Sequence, residues 1–115
     1  MKIILAPDSF KGSLSASDAA RALAEGVLEV VPQAECLCVP IADGGEGTLE
    51  TLVSEREMQR LTVRGTNGAP IDSVYGIKGK TAVIEMARAA GLTLVPPEER
   101  DPMRASTYGV GELIK

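Results

Sequence analysis

The chain has no histidine and no tryptophan, and aromatic residues make up only 3% of it. Without imidazole the commonest general base is missing, so proton and charge work falls to carboxylates and lysines. So few aromatics also leave no evident platform in this segment for stacking an adenine ring. Positive charge is short as well: 12 Lys and Arg against 16 Asp and Glu give a net charge of −4. No basic stripe is present to release counterions from a polyanion, which argues against nucleic acid as a partner. No apolar run approaches the ~18 residues of a membrane span. The opening Met1-Lys2-Ile3-Ile4-Leu5-Ala6 is cut off by Pro7 and Asp8 before it reaches signal-peptide length. A cytoplasmic location without membrane partners is the expectation. Cysteine occurs only at Cys36 and Cys38; two apart in a strand, they share a face and cannot readily bridge each other. With no second pair and no histidine, a metal knuckle lacks ligands, and both are expected as buried structural thiols.

What is present reads first as an α/β pattern. Residues 2–6 form a short apolar run suited to a strand covered on both faces. Ser15 stands three residues ahead of Asp18, a carboxylate variant of the capping box, and Ala19, Leu23, Val27 and Val31 then recur at helical spacing up to Pro32. A second strand over 35–41 and a short helix carrying Leu49, Leu52 and Val53 follow. Strand, helix, strand, helix implies a parallel sheet with right-handed crossovers. The habit changes near Glu57. Strands at 59–64, 71–77 and 81–85, joined by the turns Gly65-Thr66-Asn67-Gly68-Ala69-Pro70 and Lys78-Gly79-Lys80, predict an antiparallel meander. The spacing therefore divides the chain into 1–57 and 58–115. A helix over 87–90 should stop at Gly91 as its C′ residue. Another opens around Ser106 to Gly111, and Lys115 falls in its first turns, as expected of an incomplete fragment with an open core.

Two loops follow the parallel strands, on the rim where such sheets collect ligands. Pro7-Asp8-Ser9-Phe10-Lys11-Gly12-Ser13 offers a carboxylate, hydroxyls and an ammonium, although Asp8 and Ser9 equally suit a simple turn. Asp43-Gly44-Gly45-Glu46-Gly47-Thr48 packs three glycines into six residues, an entropic cost that points to a ligand, the alternative being a glycine-rich turn with a solvated Asp and Glu. Its backbone amides form an anion cradle, and Asp43 and Glu46 suit Mg²⁺ or proton abstraction from a hydroxyl. An ammonium, a carboxylate-held metal and a donor-rich loop together suit phosphoryl transfer. Neither a P-loop nor a dinucleotide fingerprint is present. Gly109 and Gly111 open a helix that either faces phosphate or packs closely against a neighbour.

Ala6-Pro7-Asp8-Ser9-Phe10-Lys11-Gly12-Ser13-Leu14-Ser15-Ala16 and Pro40-Ile41-Ala42-Asp43-Gly44-Gly45-Glu46-Gly47-Thr48 closely resemble signature segments of the type I (bacterial) glycerate kinases. So do the stretches 85–92 and 100–111. The resemblance implies two unlike α/β domains, one flavodoxin-like (Rossmann-type) and the other inserted into it, in a protein much longer than this chain. It implies ATP-dependent phosphorylation of D-glycerate to 2-phosphoglycerate with Mg²⁺, and small-molecule partners, and it is compatible with a homo-oligomer. Carried over residue by residue, Asp8, Ser9 and Lys11 would line the active cleft. Asp43 and Glu46 would be the acidic pair, within the loop of Gly44, Gly45, Gly47 and Thr48. Asp43 would assist deprotonation of the substrate hydroxyl or hold Mg²⁺ with Glu46, Lys11 would neutralise the transferring phosphoryl group, and Arg64 or Arg104 would take the glycerate carboxylate. Gly109 and Gly111 would serve the nucleotide.

Two competing readings are a non-enzymatic, Mg²⁺-binding or regulatory α/β module and a fragment without activity of its own. A receiver-like module is disfavoured because only Asp8 follows the first strand and because the stretch after Glu57 does not suit a doubly wound fold.

Overall fold

The computed structural model describes residues Met1 to Lys115, which divide into two compact units, Met1–Thr51 and Leu52–Lys115. In the first unit, strand β1 (Lys2–Leu5) pairs in parallel with strand β2 (Glu35–Cys38), Lys2 opposite Glu35 and Leu5 opposite Cys38. Parallel neighbours need a crossover, and helix α1 (Ala16–Val30) supplies it. Ser15 caps this helix as expected: the Asp18 N–H donates to Ser15 Oγ at 3.1 Å, and the hydroxyl donates to Asp18 Oδ2 at 2.7 Å. Such a cap contributes about 1 kcal/mol. Arg21 pairs with the same carboxylate.

The helix docks through Ala16, Ala19 and Ala20, all buried, whereas Leu23, expected on the inner face, is 50% exposed. The small side chains let the helix backbone approach the sheet, so that Cys38 Sγ lies 3.5 Å from Ala20 O. Coverage of the first strand on both faces is not found. Ile4 is 63% exposed and its cross-strand neighbour Leu37 44%, because α1 covers one side of a sheet only two strands wide. The narrow sheet also corrects the expectation for the thiols: Cys36 is partly buried and Cys38 exposed. A short helix, α2 (Thr48–Leu52), then leads out of this unit.

The second unit is the antiparallel meander that the alternation and turn residues predict. Strands β3 (Met58–Arg64), β4 (Pro70–Lys78) and β5 (Thr81–Val83) pair in sequence order. Gly68 adopts φ +85° in the first turn, closed by Gly65 N–H donating to Ala69 O at 2.7 Å. Ahead of β3, Ser54 donates from N–H and Oγ to Glu57 Oε2, both at 2.8 Å. These bonds, the backbone one first, hold the Glu57 carboxyl below its ordinary value. β5 stops short of the expected residue 85. Glu85 is buried instead and meets Arg88 at 3.4 Å at the start of helix α3 (Ala87–Ala90).

Gly91 ends α3 but not in the left-handed conformation expected of a C′ glycine. Its φ is −72°, and glycine is required because a Cβ would lie 2.3 Å from Ala87 O. Helix α4 (Tyr108–Ile114) packs on the sheet, with Val63, Ala89 and Leu113 as the buried core and Ile71, Tyr75, Ile84 and Val110 around it. Gly109 makes this packing possible, since a Cβ there would lie 1.9 Å from the Arg64 carbonyl oxygen. Gly109→Ala should therefore destabilise this unit by about 3 kcal/mol, the upper range for overpacking. Gly111→Ala, which meets open space in the same helix, should be neutral or stabilise by up to ~1 kcal/mol. Urea unfolding followed by circular dichroism checks the pair.

Candidate active site

The parallel pairing of β1 and β2 continues beyond the strands proper. Val39 N–H donates to Leu5 O at 2.8 Å and Ile41 N–H to Pro7 O at 3.1 Å. Two steps further on, Ser9 Oγ donates to Glu46 O at 3.1 Å. The loops after the two strands are thereby tied together at the carboxyl end of the sheet. In the first loop, Asp8 Oδ1 accepts the Ser9 N–H at 2.7 Å, and Phe10 and Leu14 exchange backbone hydrogen bonds of 2.9 and 3.1 Å. The turn between them needs the left-handed Gly12, φ +71°, and carries Lys11 exposed at its tip. In the second loop, Asp43 Oδ1 accepts the Gly45 N–H at 2.8 Å, and Gly44 and Gly47 take φ +98° and +93°. Those conformations exclude most side chains. Thr51 Oγ1 donates to Gly47 O at 3.0 Å and fixes the loop's exit. Thr48 Oγ1 is buried with no hydrogen-bond partner, an arrangement that costs about 1–3 kcal/mol.

Of the sequence-predicted residues, Asp8, Ser9, Lys11, Asp43, Gly44, Gly45, Glu46, Gly47 and Thr48 are thus gathered on adjacent loops of one unit. Arg64, Arg104, Gly109 and Gly111 belong to the other unit. There, Arg64 is already engaged: its N–H donates to Glu112 Oε2 at 2.7 Å, its Nε to Glu112 Oε1 at 3.2 Å, and its guanidinium stacks on Tyr108 at 4.0 Å. Gly109 is taken up by packing against β3, and Gly111 is exposed.

A profile of the glycerate kinase family matches residues 3–115. The chain belongs to the glycerate kinase family. It is 48% identical to the glycerate 2-kinase of Escherichia coli K12 over 99% of its own length and 31% of that protein's. The corresponding values for the Bacillus subtilis glycerate kinase are 49%, 99% and 31%. A Salmonella typhimurium LT2 crystal structure assigned as glycerate kinase 2 superposes with a TM-score of 0.69 at 46% identity, covering 99% of this chain and 32% of that one. The chain therefore spans about a third of the length of the relatives it matches.

Within this glycerate kinase segment the loop chemistry can be tested against the groups a kinase handles. No set of three or more Asp, Glu, Cys or His converges as a metal cage. Mg²⁺ does not require one, since it is commonly held by one or two carboxylates plus substrate phosphates and water. Asp43 and Glu46 fit that pattern: Asp43 keeps one oxygen outside its bond to Gly45, and the Glu46 carboxylate makes no hydrogen bond or ion pair. The unpartnered Thr48 hydroxyl fits a loop that offers donors to an anion.

A cavity of about 800 Å³ is lined by Thr66, Asn67, Arg100 and Ser106 as well as Arg104. Thr66 and Asn67 read as turn residues, and of this lining only Arg104 was expected at a site. The bonds from Arg64, its backbone N–H foremost, hold the Glu112 carboxyl below its ordinary value. A lowered folded-state value means that this stabilisation is present above the ordinary carboxyl range and lost as pH falls through it. Glu112→Ala should therefore lower the melting temperature at pH 7, and the gap to the unsubstituted chain should shrink by pH 3. Thermal melts at both pH values check this.

Proposed function

We propose that this chain is the amino-terminal segment of an ATP-dependent kinase that phosphorylates D-glycerate to 2-phosphoglycerate. The observation that carries the reading is the hydrogen bond from Ser9 to the Glu46 carbonyl, which joins an exposed ammonium, Lys11, to a glycine-rich loop bearing Asp43 and Glu46. Phosphoryl transfer depends mainly on positioning and charge neutralisation. Lys11, exposed at a turn tip, neutralises the transferring group. The amides freed by Gly44, Gly45 and Gly47, with the Thr48 hydroxyl, hold phosphate oxygens. Asp43 accepts the proton of the glycerate hydroxyl or, with Glu46, holds Mg²⁺, which when bound offsets phosphate charge. Ser9 and Asp8 position the two loops. Of the two arginines expected to take the glycerate carboxylate, Arg64 is already paired with Glu112.

On this reading Met1–Thr51 opens a flavodoxin-like domain and Leu52–Lys115 opens a domain inserted into it, in a cytoplasmic enzyme. Support comes from family membership and from the parallel pair with its crossover helix. The test is a chimera in which residues 1–115 replace the matching segment of the Escherichia coli glycerate 2-kinase, assayed by coupled ADP release with D-glycerate, ATP and Mg²⁺. The chimera should be active. Lys11→Ala and Asp43→Ala should each lower kcat/KM by about 10²-fold or more, as expected for loss of transition-state charge or proton transfer. A folded chimera in which both variants keep near-normal kcat/KM would overturn the assignment.

A further inference from the structure

Asn67 is the only asparagine in the chain, and it precedes Gly68 in the turn between β3 and β4. The asparagine amide is among the thermolabile groups of proteins. It is lost fastest where glycine follows, because the backbone nitrogen that attacks it is then unobstructed by a side chain. Asn67 is exposed, and the space around Gly68 is open. The folded turn nevertheless engages every group the reaction uses. Gly68 N–H donates to Gly65 O at 2.9 Å, Ala69 N–H donates to Asn67 Oδ1 at 3.1 Å, and Asn67 Nδ2 donates to Glu99 Oε2 at 3.5 Å. The last bond also has an architectural role. Together with Ser106 N–H donating to Thr66 O at 3.0 Å, it fastens the segment 95–106 to the turn.

We propose that Asn67 is a deamidation site guarded by the turn, and that its conversion unfastens the segment 95–106. When the turn opens, the Gly68 nitrogen gives its proton to base and attacks Asn67 Cγ. A new N–C bond forms, the Cγ–Nδ2 bond breaks, and ammonia leaves with a proton taken from water. Water then adds to either carbonyl of the resulting succinimide, giving aspartate or isoaspartate. Water is consumed and ammonia released, with no oxidant or reductant involved. In the aspartate product the group facing Glu99 changes from a donor to a carboxylate, so two like charges meet where a hydrogen bond had been. In the isoaspartate product the main chain runs through the former side chain. The lengthened turn then cannot keep the 2.7 Å bond from Gly65 N–H to Ala69 O in register.

The test is incubation of the whole chain, native and in urea, at mildly acid and mildly alkaline pH, followed by peptide mass spectrometry. A gain of about one dalton, amide to acid, should accumulate on the peptide holding Asn67, faster at the alkaline pH and faster in urea. Isomerisation at Asp43-Gly44 leaves the mass unchanged and does not enter this reading. Glu99→Ala should raise the native rate about two- to fivefold, the effect of releasing one net hydrogen bond. The structural consequence is read by hydrogen exchange. The Ser106 N–H should exchange about threefold faster or more in Asn67→Asp, and by a smaller factor in Asn67→Ala, while the amides of β4 keep their rates. That contrast separates unfastening from general loss of fold. No mass gain at Asn67, a native rate equal to the rate in urea, or unchanged Ser106 exchange in Asn67→Asp would each overturn the inference.

Discussion

From Leu5 onward the first strand keeps finding hydrogen-bond partners on the chain that follows the second: Leu5 with Val39, Pro7 with Ile41, and finally Ser9 with Glu46. Each of these bonds is worth only about 1 kcal/mol net. Together they prolong a four-residue parallel pairing into a frame that delivers two loops to one place. Parallel strands can do this where a hairpin cannot, because both carboxyl ends point the same way. The crossover helix that parallel pairing demands is in turn started by Ser15, one residue after the Lys11 turn closes at Leu14. The loop that carries the ammonium is therefore fixed at its two ends by backbone bonds and a helix cap. Its tip, Lys11, stays exposed.

The second unit is built on a different constraint, the close approach of α4 to β3 at Gly109. That contact places Glu112 where it takes both the backbone and the side chain of Arg64, and places Tyr108 under the same guanidinium. One arginine is thereby spent on architecture. The other, Arg104, lies on a loop where Glu99 takes Asn67 and Asp101 takes the Met103 N–H, so no neighbouring carboxylate engages it. The difference between the two arginines is a matter of tertiary partners.

This explains what could and could not be read from residues alone. Period and punctuation were enough for the helix from Ser15 to Pro32 and for the antiparallel meander, where local rules and tertiary packing agree. The left-handed glycines of the Asp43 loop were legible as an entropic cost without an obvious structural return. Burial was less legible. An apolar run such as 2–6 announces a strand, but whether Ile4 is covered depends on neighbours the run does not specify. Gly91 and Gly109 were marked by sequence as special, yet their reason is a carbonyl oxygen contributed by other residues, Ala87 and Arg64. Arg64 and Arg104 looked equivalent until Glu112 came into view, since residues 48 apart in sequence carry no local signature of their pairing.

The claim at the centre of this account is that the Asp8–Ser13 and Asp43–Thr48 loops form one site for a metal-bound phosphate. Paramagnetic broadening tests it on the chain itself, with Mn²⁺ standing in for Mg²⁺ in the presence of ATP and backbone amide signals recorded during the titration. The account predicts that signals of both loops broaden together at the lowest Mn²⁺ additions, and that Asp43→Ala abolishes the effect. Broadening of only one loop, or of residues elsewhere with both loops unaffected, would contradict it.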